Sequence, residues 1–109
     1  MNRQQQDVAT DFERLVNMTP KELEQWLARA ESKNAGQPGG DGETKGHESG
    51  RRIVALLRKN RSEYTDDDLA HMRRVRAYIN RHLAQRPSGD ITNTTWRHSL
   101  MNWGHDPAR

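Results

Sequence analysis

Apolar residues recur along this chain at helical spacing, and no segment shows the Val/Ile/Thr-rich alternation that builds strands. The pattern restricts the fold to helices packed on helices. Val8, Phe12, Leu15 and Val16 share one face of a first helix over residues 6–16, which Asn17 and Met18 end. Leu23, Trp26, Leu27 and Ala30 form the buried stripe of a second. A third starts at residue 48 or 49, runs to 60 and turns Ile53, Leu56 and Leu57 inward. The fourth and longest carries Leu69, Met72, Val75, Ile79 and Leu83 on one arc. A short fifth, over residues 93–102, presents Trp96, Leu100 and Trp103 together.

The boundaries have their own signals. Thr19-Pro20-Lys21-Glu22 is a capping box with proline at the first helical position, and Met18 and Leu23 can staple across it. Thr65 caps the fourth helix, with Asp66, Asp67 and Asp68 in its first turn facing the positive end of the dipole. Pro87 stops that helix, and Gly104 is placed to end the fifth. Residues 33–46 hold Gly36, Gly39, Gly40, Gly42, Gly46 and Pro38 with no apolar side chain larger than Ala35, which reads as a flexible glycine-rich loop. Residues 1–5 read as a frayed end.

The expected architecture is therefore all-α: one compact domain over residues 1–109, with about five helices and a glycine-rich loop between the second and third. Its 109 residues suffice for one core and not for two. The three tryptophans, Trp26, Trp96 and Trp103, are the largest apolar groups available and are expected near the centre of that core. No apolar run approaches a membrane span, and no secretory signal opens the chain. Cysteine is absent, so disulfides and thiolate metal sites are excluded and a reducing, cytoplasmic setting fits.

Charge is unevenly placed. Residues 1–50 carry six Lys/Arg against nine Asp/Glu, whereas residues 51–86 carry ten against four. The excess points to a basic face on the third and fourth helices, built from Arg51, Arg52, Arg58, Arg73, Arg74 and Arg81. Arginine is also simply a good, soluble helix former, which gives the same composition a plainer origin. Arg76 differs from the rest: it projects between Leu69 and Leu83, inside the apolar arc. It must pair there, and a carboxylate of the acidic N-terminal helices is a candidate partner.

Other chemistry finds little support. His71 and His82 are eleven residues apart, about 16 Å along a helix, too far to share a metal ion. His47, Glu48 and Ser49 are the three types of a nucleophilic triad, but consecutive residues point in different directions. The glycine loop lacks the Gly-Lys-Ser/Thr ending of a phosphate loop and follows no strand. Gly46 stands where backbone amides at a helix start can meet an anion, with Arg51 and Arg52 following, although a glycine that merely lets the chain turn in explains it more simply. His71, Tyr78 and His82 make a half-buried polar edge beside the core. The acidic start of the fourth helix would repel DNA, which argues against a standard recognition helix and for contacts to the backbone.

Four runs carry a resemblance: Asn17 to Leu23, Gly46 to Ile53, Arg81 to Pro87 and Ser99 to Pro107. In this order they resemble an uncharacterised family of small microbial proteins, a domain of unknown function, some of whose members are labelled DNA-binding. What the resemblance implies about activity stops at that label. The function expected is non-enzymatic DNA binding through the six arginines, without cofactor or metal. The alternative is a small interaction or regulatory module for an acidic protein partner.

Overall fold

Each of the longer helices begins where a side chain can take up its open N–H groups. In a computed structural model, which describes residues 1–35 and 44–109, Asn2 caps α1 (Arg3–Leu15) and Thr19 caps α2 (Pro20–Leu27). Thr44 caps α4 (Lys45–Leu57), Thr65 caps α5 (Asp66–Leu83) and Thr94 caps α6 (Thr95–Asn102). A five-residue helix, α3 (Ala30–Asn34), follows α2 without a side-chain cap. A 3-10 turn at Arg61–Glu63 joins α4 to α5. No strand occurs among the described residues.

α1 packs along α5, and α2 packs along α4; α6 closes the arrangement against α2, α3, α4 and α5. Phe12, Leu23, Ile53, Leu56, Leu69, Met72, Val75, Ile79 and Leu100 are the fully buried side chains of the one shared core. They are the stripe positions of the sequence pattern, so helical periodicity selected the core directly.

Several expectations need correcting. The first helix starts earlier than the apolar pattern marks, at Arg3: Asn2 and Gln5 form a reciprocal capping box, with Gln5 N–H donating to Asn2 Oδ1 at 2.8 Å and Asn2 N–H to Gln5 Oε1 at 3.0 Å. α2 breaks at Arg29, whose backbone is extended, so Ala30 opens α3 and is exposed. The break lets Ser32 and Ala35 take the buried positions instead. Lys33 and Asn34 are helical, and so are Lys45 and Gly46; of the glycine-rich loop, residues 36–43 lie outside the described residues. Trp26 is buried, but Trp96 and Trp103 are half-buried and pack on the outside of the core. An indole needs a partner for its N–H, which favours the core's margin over its centre.

The C-terminal segment crosses the junction between α1 and α2. The Gly104 carbonyl accepts from Asn17 N–H and Met18 N–H at 3.1 and 3.2 Å. Asn17 and Asp106 exchange two further bonds, Asn17 Nδ2 to Asp106 O at 3.0 Å and Asp106 N–H to Asn17 Oδ1 at 2.8 Å. Gly104 has φ +80° and a Cβ there would lie 2.8 Å from Val16 Cγ1, so glycine is required twice over.

Candidate nucleic-acid interface

The six arginines do not form one surface. Arg58 is ion-paired with Glu24 of α2. Arg51 lines a shallow hollow with Glu24, Leu27, Lys33 and His47. Arg52, Arg73, Arg74 and Arg81 are exposed on another part of the surface of α4 and α5. Arg73, Arg74 and Arg81 make no ion pair among the described residues, so their charge meets solvent unneutralised. Arg52 is steadied by a bond from Nη2 to the backbone oxygen of Asp67 at 3.1 Å, leaving the rest of its guanidinium open. Glu63, whose carboxylate could have interrupted the row, is turned back to accept from Asn60 N–H at 2.8 Å.

Arg76 behaves as its position demands. Its Nη1 donates to Asp11 Oδ2 at 3.1 Å, tying α5 to the acidic α1. Asp68 departs from its neighbours in the Asp66–Asp68 run: it is buried, and its Oδ2 accepts from Thr65 N–H at 3.0 Å and from Lys59 Nζ at 2.7 Å. Burial pushes its carboxyl up, but the Lys59 and Thr65 hydrogen bonds outweigh that and hold it below the usual carboxylate range.

Between the N-terminal half of α4 and the middle of α5 lies an open groove of about 460 Å³, lined by Lys45, Glu48, Ser49, Arg52, His71, Arg74 and Trp103. Sequence spacing could not bring these together, because they come from three separate helical segments. Gly46 keeps the approach to Trp103 clear, since a Cβ there would stand 3.2 Å from the indole Nε1. Ser49 Oγ and His71 Nε2 share a hydrogen bond at 3.0 Å, in a direction that follows the ring's tautomer.

A serine bonded to a histidine raises the question of nucleophilic chemistry, here between residues of different helices rather than within His47-Glu48-Ser49. His71 Nδ1 has no hydrogen-bond partner among the described residues, so no carboxylate orients the ring. Burial, reinforced by the charges of Arg52 and Arg74, pushes the imidazole down to about 4. Such a ring stays neutral near pH 7 and is too weak a base to activate a hydroxyl. His71, Trp103, Tyr78 and His82 instead form a run of near-parallel rings, with centroids 6.3, 4.1 and 3.9 Å apart in that order. The polar edge expected on the fourth helix is thus a stacked aromatic seam. Among the described residues no group of three or more His, Asp or Glu side chains is placed to hold a metal ion. No described helix is long and apolar enough to cross a membrane.

The described residues define a small all-helical domain, with Arg52, Arg73, Arg74 and Arg81 exposed on α4 and α5. The chain belongs to the DUF3140 family of proteins of unknown function, whose family model matches residues 11–101. No curated protein and no solved structure matches it.

Proposed function

We propose that this protein binds DNA without catalysing a reaction on it, through Arg73, Arg74 and Arg81 of α5 with Arg52 of α4 alongside, and mainly by contacts to the phosphate backbone. The observation that carries this reading is three exposed arginines on one helix, Arg74 and Arg81 in line and Arg73 at their flank, with no ion pair among the described residues. Arg74 and Arg81 are two turns apart, about 10 Å, a spacing at which a rigid helix can reach successive phosphates. Asp66 and Asp67 keep the start of α5 away from phosphate, so the middle and C-terminal turns make the contacts. Arg51 and Arg58 leave the proposed surface, since they face α2 and its glutamate.

Binding of this kind is driven by counterion release. With about four phosphates neutralised, one per arginine, log affinity should fall against log salt with a slope of about −3.6 on duplex DNA. Replacing Arg74 and Arg81 together by Gln should reduce that slope by about two and weaken all sequences alike. Absence of binding at about 10⁻⁴ M in physiological salt, on duplex, single-stranded DNA and RNA, overturns the proposal.

A second reading draws on one observation: Arg52 rests on the backbone oxygen of Asp67, which places an exposed acidic residue at the α4 end of the basic surface. Mixed charge suits an acidic protein partner better than a polyanion. Failure on nucleic acid combined with loss of a protein complex on Arg74→Gln would favour it.

A further inference from the structure

The groove between α4 and α5 has a narrower chemistry than the open arginine row. Its cationic groups are Lys45, Arg52 and Arg74, and its one carboxylate is Glu48. Lys45 and Arg74 make no ion pair among the described residues, and Arg52 is already fixed in place by the Asp67 carbonyl. Ser49 is buried in the lining and engaged with His71 through Nε2, which ties α4 to α5 at the groove. Trp103 also lines the groove, held in the aromatic seam by Tyr78 and His71. The three cations come from two helices whose relative position the core fixes, which is the preorganisation a specific site needs. At about 460 Å³ the groove is the size of a small-molecule site and far larger than a single ion requires.

We infer that this groove is a binding site for a phosphate group of a small phosphorylated ligand, held by Arg52, Arg74 and Lys45 beside Trp103. Three cations against one carboxylate leave a balance of +2, matching a phosphate monoester dianion. The neutral His71 ring adds no charge, and Glu48 in the lining disfavours a second anionic group beside the first. The inference does not rest on the DNA reading: a backbone phosphodiester carries one charge and needs no groove between two helices.

Calorimetric titration of the full chain with inorganic phosphate, pyrophosphate and adenosine 5′-monophosphate at low salt tests it. The expected result is saturable one-to-one binding with a dissociation constant of about 1 mM or below. Arg74→Gln should weaken it about tenfold or more, as loss of a charge-assisted bond does. Arg74 makes no ion pair among the described residues, so this variant should fold; Arg52→Gln, with circular dichroism to check folding, is the second. Arg73→Gln and Arg81→Gln, outside the groove lining, should leave binding unchanged within about twofold. Competition by a 5′-phosphorylated oligonucleotide and not by its 5′-hydroxyl form would assign the phosphate to a nucleic-acid end. Competition by the mononucleotide alone would assign it to a free nucleotide. No saturable binding of any of these anions, or equal weakening by Arg73→Gln and Arg74→Gln, overturns the site. Arg81→Gln separates the two proposals, since it should weaken duplex binding and spare the groove.

Discussion

The indole N–H of Trp26 donates to Asn102 Oδ1 at 2.7 Å, across 76 positions of sequence. The Ser32 hydroxyl donates to the same oxygen at 2.5 Å, and Asn102 Nδ2 donates to the Ser32 carbonyl at 3.0 Å. One buried amide therefore joins α2, α3 and the end of α6. Asn102→Leu keeps the volume and strands an indole N–H, a hydroxyl and a carbonyl. We expect it to cost about 3 kcal/mol, because each orphaned buried group carries its own desolvation penalty. Urea denaturation measures it, and a loss below about 1 kcal/mol would mean that the network is not holding α3.

Gly50 and Gly46 sit one turn apart on α4 and should answer differently to alanine. A Cβ on Gly50 would lie 2.5 Å from the Asn102 backbone oxygen and 2.7 Å from Leu27 Cδ2. The first is backbone and cannot swing aside, so α4 and α6 would have to part. Gly50→Ala should destabilise by about 2 kcal/mol despite the gain in helix propensity. At Gly46 the neighbours are side chains, the nearest at 3.2 Å. Gly46→Ala should stay within about 1 kcal/mol of the parent, because the propensity gain offsets the tight contact. Thermal melts of the two variants side by side decide it.

Stability should fall in mild acid because of His71. Its folded value of about 4 lies below the ordinary 6.5, so between these the unfolded chain takes up a proton that the folded chain refuses. Stability from this group is complete above about pH 6.5 and is lost as pH falls towards 4. The ring faces Arg52 and Arg74, which oppose its protonation, and Asp68, which favours it less strongly. His82 and His98 are lowered as well, first by burial, and act in the same direction. His71→Phe should therefore shrink, without abolishing, the difference in urea midpoint between pH 7 and pH 5. An unchanged difference would show that the ring is not protected from protonation.

The C-terminal segment should depend on one fork. Arg97 Nε and Nη2 donate to Asp106 Oδ1 and Oδ2, both at 3.1 Å, and Nη1 donates to the Thr92 carbonyl at 2.9 Å. Burial raises the Asp106 carboxyl, but the Arg97 fork and the Ala108 N–H prevail and lower it. Arg97→Gln should cost about 2 kcal/mol. It should also speed amide exchange at Asp106 and at Asn17, because Gly104 to Asp106 hold the α1–α2 junction. Slow exchange retained at both would show that Gly104 alone suffices.

Much of this was legible beforehand. The stripes at Val8/Phe12/Leu15, Leu23/Trp26/Leu27 and Leu69/Met72/Val75/Ile79, and the caps at Thr19 and Thr65, are relations within one or two helical turns, so the sequence displays them directly. Even the pairing of Arg76 with an acidic N-terminal helix could be anticipated, since a charge inside an apolar arc demands a partner. The cap at Asn2 was missed because its box uses glutamine on a polar stretch with no apolar stripe to mark the helix start. The break at Arg29 was missed because Ala30 fits a continued α2 as well as it fits a new helix.

The candidate site was legible only in part. Composition marked residues 51–86 as basic and drew attention to six arginines of the third and fourth helices. What it could not do was tell Arg52 from Arg51 or Arg58, because adjacent positions on α4 differ only in which neighbour they meet. Contact with α2 gave Arg58 to Glu24, and contact with α5 brought Arg52 to Asp67 and Arg74. The pairs Ser49–His71 and Trp26–Asn102, and the seam through Trp103 and Tyr78, belong to the same class. Helix boundaries, stripes and net charge follow from forces acting within a few residues. Which face meets which, and so which arginine remains free, follows from packing all the helices on one core at once, a condition that no local stretch of the chain contains.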